Sequence, residues 1–217
     1  IMPSLVGSEM CIRDSPYAQR VYQRNIMRLL AKLLWVSLAF GITDAQEVET
    51  LSDPQIRVVT TLGTFVMELN RDRAPLTVEN FLTHARAGFY DGTVFHRVIQ
   101  GFVAQTGGYT ADLAEKLAEG SVANESGNGL SNLRGTVGLA RTNEPHSGST
   151  GFYINLNDNL DLDPRPTRWG YTVFGTVIEG MEVIDEIGYL PTGPGGTFDR
   201  DVPVQSIVIQ RVELLTE

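Results

Sequence analysis

Between residues 55 and 215 the chain is cut into short apolar runs, and their brevity limits the folds open to it. IRVVTTLGTFVMELN (56–70) alternates in two halves joined at Leu62–Gly63, a hairpin signal. VFHRVIQGFVAQTGG (94–108) gives a second pair of strands hinged at Gln100–Gly101. TVGLAR (136–141), GFYINL (151–156), WGYTVFGTVI (169–178) and QSIVIQRVEL (205–214) read as further strands. Helical spacing is confined to short pieces. In APLTVENFLTHARAG (74–88), Val78, Phe81, Leu82 and Ala85 form an apolar stripe. There Thr77 is expected to cap the start, Glu79 to favour the first turn and Gly88 to end the helix. GMEVIDEIGYL (180–190) is a second helix with Met181, Ile184 and Ile187 to bury, and ADLAEKLAE, within the long connection 110–133, is a candidate third. With no repeat and no interdomain linker, many short strands and few helices predict one mainly β domain. The expected form is a closed or nearly closed antiparallel barrel whose open mouths are plugged by helices.

The residues before this domain read differently. Met27 opens MRLLAKLLWVSLAFGITDA, with Arg28 and Lys32 followed by an apolar run from Leu33 to Ile42. That layout predicts a signal peptide over 27–45, cleaved after Ala45, and hence an exported chain, periplasmic or secreted. A membrane anchor is the rival, but about 18 or more uninterrupted apolar residues would be wanted for one. Residues 1–26 resemble a non-native, adapter-derived extension, and 46–54 a polar tether. The single cysteine, Cys11, falls in the extension, so the domain at 55–215 must be stable through its core without disulfides.

Charge excludes one class of partner. Residues 46–217 carry 12 Lys+Arg against 23 Asp+Glu, a net charge of −11. Such a surface repels nucleic acid and anionic lipid, so neither polynucleotide binding nor stable membrane association after cleavage is expected.

Against this background Arg97 and Gln105 stand out, because each interrupts an apolar strand. A buried guanidinium is costly unless it is paired or has a task. Strand parity lets Arg97, Val103 and Gln105 share a face, whereas Phe102 is off-phase and would need the Gln100–Gly101 hinge to turn it in. Taken alone, Arg97 reads more readily as a structural arginine paired with a carboxylate than as a functional one, and Phe102, Tyr153 and Leu162 read as core. His96 lies on the opposite parity and reads as a structural histidine. His84, His96 and His146 are scattered, without metal-ligand spacing. No G-x-S-x-G elbow accompanies Ser147 and Ser149, and Asn124-Glu125-Ser126 is a glycosylation sequon.

FHRVIQGFVAQTGG, GLARTNEPHSGSTGFYINL and YTVFGTVIEGMEVID, in that order and after TVENFL and GFYDGTVFHRV, resemble the successive signatures of the cyclophilins. The likeness covers roughly residues 55–214 and is greatest to exported bacterial members. The resemblance implies an eight-stranded antiparallel β-barrel capped by two α-helices, with peptidyl-prolyl cis–trans isomerase activity. It implies catalytic roles for Arg97, Phe102 and Gln105, with Arg97 donating to the prolyl nitrogen and Gln105 holding the substrate backbone. Phe102 and Val103, with Tyr153 and Leu162, would line the proline pocket, and Ala140, Arg141 and Thr142 would form the edge along which the peptide lies. Tyr171 stands where many members carry histidine. The implied partners are proline-containing segments of unfolded or folding proteins, met by a monomer. No metal or cofactor is called for, because rotation breaks no bond.

Three residues depart from the family pattern. Gly151 replaces a glutamine that bonds the substrate backbone, at an expected cost of about 0.5–1.5 kcal/mol. Asp161 replaces a rim aromatic, and Thr106 interrupts a glycine-rich turn and is expected to shift Gln105. Activity is expected to be reduced but retained. The alternative is a cyclophilin-like peptide-binding or assembly module with little or no catalysis, and a lipocalin-like carrier is a distant third.

Overall fold

The computed structural model describes residues 53–118 and 120–216. The expected extension at 1–26, the signal peptide at 27–45 and most of the tether at 46–54 lie outside the described residues. The hairpin signal at Leu62–Gly63 yields β1 (Gln55–Thr60) and β2 (Thr64–Leu69). Thr60 locks the turn: its hydroxyl donates to the Gly63 carbonyl at 2.7 Å and accepts from the Leu62 and Gly63 amides.

Helix α1 (Pro75–Arg86) follows, then β3 (Arg97–Ile99), β4 (Val103–Thr106), β5 (Thr136–Leu139) and β6 (Phe152–Asn155). A 3₁₀ turn (Leu160–Leu162), β7 (Val173–Glu179), α2 (Met181–Tyr189), the hairpin β8 (Thr192–Gly195)–β9 (Phe198–Pro203) and β10 (Ile209–Thr216) complete the chain. Eight strands form one antiparallel sheet in the order β10-β1-β2-β7-β5-β6-β4-β3. Its two ends meet. The Phe95 amide donates to the Ile207 carbonyl at 3.1 Å and the Ile209 amide to the Thr93 carbonyl at 2.8 Å. Closure in this way leaves less strand edge exposed than an open sheet would.

The helices add their apolar faces to a core that the strands also build, with Phe65, Met67, Phe152, Ile154 and Phe174 among its strand residues. On α1 Val78, Phe81 and Leu82 are buried, as their spacing predicted. Phe81 stacks on Tyr90 with centroids 4.8 Å apart and meets Phe152 edge-on at 5.5 Å. On α2 Ile184 and Ile187 enter the same core, and Met181 is partly buried against it.

Three expectations fail locally, each for a physical reason. Thr77 does not cap α1, because it sits inside the first turn behind Pro75. The Glu125 carboxylate caps instead, accepting from the Leu76 amide at 3.0 Å and from the Thr77 amide and hydroxyl at 2.9 and 2.7 Å. A carboxylate on free helix N–H groups also opposes the helix dipole. Glu79 falls outside the first turn, because the helix already begins at Pro75, and pairs with Arg86 at 3.4 Å. The candidate third helix within 111–118 is not helical. Its backbone bridges Tyr109 to Glu115, and Lys116 Nζ donates to the Phe89 and Asp91 carbonyls, so tertiary bonds override helix propensity.

Candidate active site

The register of four strands builds the site. Arg97 lies opposite Gln105, Gln105 opposite Tyr153, and Tyr153 opposite Gly138, one row across β3, β4, β6 and β5. Because side chains alternate, Val98, Ala104, Phe152, Ile154 and Val137 go into the core. The odd-numbered set of β3 and β4 is thereby left for the other face. Gly138 completes the row for want of a side chain. A Cβ there would fall 2.2 Å from Tyr153 Cζ and 2.3 Å from its hydroxyl oxygen. Alanine at 138 would therefore drive the Tyr153 ring out of place.

Arg97, Phe102, Val103, Gln105, Ala140, Arg141, Tyr153, Leu162 and Tyr171 line a single cavity of about 280 Å³. They come from five separate stretches of sequence: 97–105, 140–141, 153, 162 and 171. Phe102, off-phase in the strand pattern, belongs to the turn: Gly101 takes a φ of +70°, open to glycine, and the Phe102 amide donates to Ile99 O at 3.0 Å. Thr142 is outside the lining. It is exposed in the next loop, where its amide donates to Ser147 Oγ at 2.9 Å.

Arg97 Nη1 donates to Gln105 Oε1 at 3.2 Å. Among the described residues no carboxylate pairs with it. A neutral partner orients the guanidinium without neutralising it, and one bond leaves most of its five donors for a ligand. Arg141 is the opposite case. Its guanidinium donates to Gly170 O at 3.2 Å, Thr142 O at 2.9 Å and Trp169 O at 2.9 Å, and stacks 4.3 Å over the Tyr171 ring. Arg141 therefore serves as wall, fixing Tyr171, whose ring meets Tyr153 edge-on at 6.1 Å.

An asparagine network, not anticipated from the sequence, holds the floor. Tyr153 Oη donates to Asn132 Oδ1 at 2.7 Å, and Asn132 Nδ2 donates to Asp163 Oδ1 at 2.8 Å. Asn159 Nδ2 donates to Phe102 O at 2.8 Å and to Asn155 Oδ1 at 2.7 Å. Asn132 and Asn155 are fully buried. The available signal was Asn155 within the otherwise apolar GFYINL, since a buried amide needs a network. Burial pushes the Tyr153 phenol well above its ordinary pKa, so it stays a neutral donor.

The departures resolve separately. Thr106 is not in a turn. It ends β4, fully buried, and donates to Val94 O at 3.0 Å, so Gln105 keeps its register opposite Arg97. Asp161 lies on the rim, ion-paired with Arg165. A Cβ on Gly151 would lie 3.4 Å from Ala140 Cβ, an ordinary contact, so a side chain would fit there. Of the histidines, His84 Nδ1 bonds Asn80 O at 2.8 Å and His146 Nδ1 accepts from the Asn124 amide at 3.0 Å. His96 is buried against Tyr109 and Phe198, structural as expected, yet its Nδ1 has no partner. The sequon asparagine spends its amide on Pro145 O and Gly170 O.

Residues 55–214 match the family model described as cyclophilin type peptidyl-prolyl cis-trans isomerase/CLD. Over 163 residues the chain is 47% identical to peptidyl-prolyl cis-trans isomerase cyp18 of Streptomyces antibioticus, covering 74% of this chain and 98% of that one. It is 39% identical over 188 residues to peptidyl-prolyl cis-trans isomerase A of Dickeya dadantii, covering 87% and 97% of the two chains. Among solved structures, a Cryptosporidium parvum cyclophilin superposes with a TM-score of 0.62 at 22% identity, covering 76% of this chain and 99% of that one. Matched along its whole folded domain and across curated bacterial relatives, the chain belongs to the cyclophilin-type peptidyl-prolyl cis–trans isomerases.

Proposed function

We propose that this isomerase turns X–Pro bonds of exported proteins, with Arg97 as the group that eases the rotation. Amide resonance sets a barrier of about 18–20 kcal/mol. In the twisted amide the proline nitrogen regains its lone pair, and a fixed N–H donor aimed at that nitrogen holds the electrons out of resonance. No bond breaks, so neither a nucleophile nor a proton transfer is needed. A thousandfold acceleration requires about 4 kcal/mol, and one preorganised donor in a water-poor site supplies about 2.7–4 kcal/mol. Arg97 can thus be the largest contribution, with the cavity supplying the rest.

The observation that carries this reading is the Arg97–Gln105 pair at 3.2 Å in a cavity that Phe102, Val103 and Leu162 also line, a full positive charge oriented by a neutral amide. Phe102, Val103, Tyr153 and Leu162 would grip the pyrrolidine ring, Gln105 would keep the peptide aligned, and the peptide would lie along Ala140–Arg141. A protein of the same fold was solved in the presence of the dipeptide Ala-Pro, which supports a prolyl ligand. On a neutral Ala-Pro tetrapeptide, the cis-to-trans rate followed by protease coupling is expected to exceed the spontaneous rate in proportion to enzyme. A rate equal to background removes the reading.

Export rests on the signal-like stretch 27–45. The chain recovered from outside the cytoplasm of a producing bacterium is expected to begin at Gln46 by N-terminal sequencing. An unprocessed chain retained inside the cell overturns it.

A further inference from the structure

We propose that the hairpin at 164–169 is a second subsite that binds a carboxylate side chain flanking the substrate's proline; this rests on the reading that the cavity holds the prolyl residue. The hairpin grows directly from the cavity wall. Leu162 and Tyr171 both line the cavity, and the Tyr171 amide donates to Leu162 O at 2.9 Å, closing the base of the loop between them. Arg141, also in the wall, grips the loop through Trp169 O and Gly170 O. A peptide extending past Leu162 and Tyr171 therefore meets this loop next.

What it meets is a recess of about 440 Å³ lined by Pro164, Arg165, Pro166, Arg168 and Trp169, with Ser126 and Gly127 opposite. Trp169 is 48% exposed, with its ring packed edge-on against His146 at 5.2 Å. Arg165 and Arg168 face each other across a two-residue turn, Pro166–Thr167, with reciprocal backbone bonds of 2.9 and 3.0 Å. Like charges directly opposite in a hairpin destabilise it. In a domain with an excess of acids, two arginines at one paired position are a local cost that a bound anion would offset.

The nearby acids do not discharge the pair. Asp163 Oδ1 is held by the Asn132 amide and side chain, and the Glu125 carboxylate by the start of α1. Asp161 pairs with Arg165 but is 92% exposed, so water screens that pair and a ligand can replace it. Arg168 uses only one terminal nitrogen, on the Asp161 and Asp163 carbonyls. Donors therefore outnumber acceptors, and the surplus is cationic, planar and beside an exposed indole. That combination suits a glutamate or aspartate side chain whose methylenes lie on Trp169.

The test uses the full chain and paired prolyl tetrapeptides carrying Glu or Gln at a residue flanking proline, placed on either side. At one flank the Glu peptide is expected to show about threefold higher kcat/KM than the Gln peptide, a preference that fades with added salt. The Arg165→Gln/Arg168→Gln double variant should lose the preference while turning over the Gln peptide unchanged. In a Trp35→Phe background Trp169 is the remaining indole, so its fluorescence reports peptide binding directly, with about threefold tighter binding of the Glu peptide expected. Equal kcat/KM and equal affinity for Glu and Gln peptides at both flanks, or a preference that survives the double variant, overturns the subsite. Absence of turnover on every peptide overturns the isomerase reading instead, and the fluorescence titration still decides the subsite.

Discussion

Replacing Arg97 with alanine is expected to lower kcat/KM on a neutral prolyl tetrapeptide by about 10²–10³, the effect of deleting one preorganised donor. The loss should fall mainly on kcat. The cavity walls that hold the ring are untouched, whereas the donor acts when the amide is twisted. Arg97→Lys restores the charge but not the planar fork that reaches Gln105 and the prolyl nitrogen together, so it should recover only a small part. Folding should be nearly unaffected, because among the described residues Arg97 leaves no carboxylate unpaired when removed. The measurement is protease-coupled kinetics beside a peptide-binding titration. An alanine variant with full turnover would show that the cavity alone does the work; a wild type that binds but never turns over would restore the binding-module alternative.

The second large effect is on stability in acid. His96, 3% exposed, has its pKa pushed down from 6.5 to about 4 by burial, partly offset by the Val94 backbone, with the Arg97 charge pulling further down. Its ring packs on Tyr109 at 4.4 Å and on Phe198 at 5.7 Å, and neither ring stabilises an imidazolium as a carboxylate would. The sign follows from linkage: between the two values the unfolded chain binds a proton that the folded chain refuses. The neutral histidine therefore carries no penalty above about pH 6.5, and stability falls as pH drops toward 4, by about 3 kcal/mol in all. Asp185 and Glu213, held low by the arginines beside them, lose their contributions at lower pH, as each is protonated through its depressed folded value. Urea unfolding at pH 7, 5.5 and 4.5 should show the decline, and His96→Leu should flatten it across this window. An unchanged slope in that variant assigns the acid sensitivity elsewhere.

How far the sequence reached can be judged residue by residue. Val78, Phe81 and Leu82 recur at helical spacing and lie buried on α1, because a single stripe on a short helix has only one way to leave water. The Leu62–Gly63 and Gln100–Gly101 turns stood out because few residues suit a tight reversal. Thr77 misled, since the group that caps α1 comes from Glu125, far along the chain. ADLAEKLAE misled because its propensity is real but weaker than the bonds Lys116 makes to Phe89 and Asp91. The asparagine network escaped notice because Asn132, Asn155 and Asn159 look like loop and strand residues until their amides are seen to meet.

By itself the sequence determined the mainly β character, the positions of most strands and both helices, and the parity that sets Arg97 and Gln105 on one face. Those properties are local, written in periods of 2 and 3.6 residues and in the turn preferences of glycine. Only the tertiary structure decided that Tyr153 lies over Gly138, that Arg97 answers to an amide while Arg141 is consumed by three carbonyls, and that Arg165 and Arg168 line one recess. Each depends on which strand is hydrogen-bonded to which and in what register, and that pairing is settled by closing the barrel around its core.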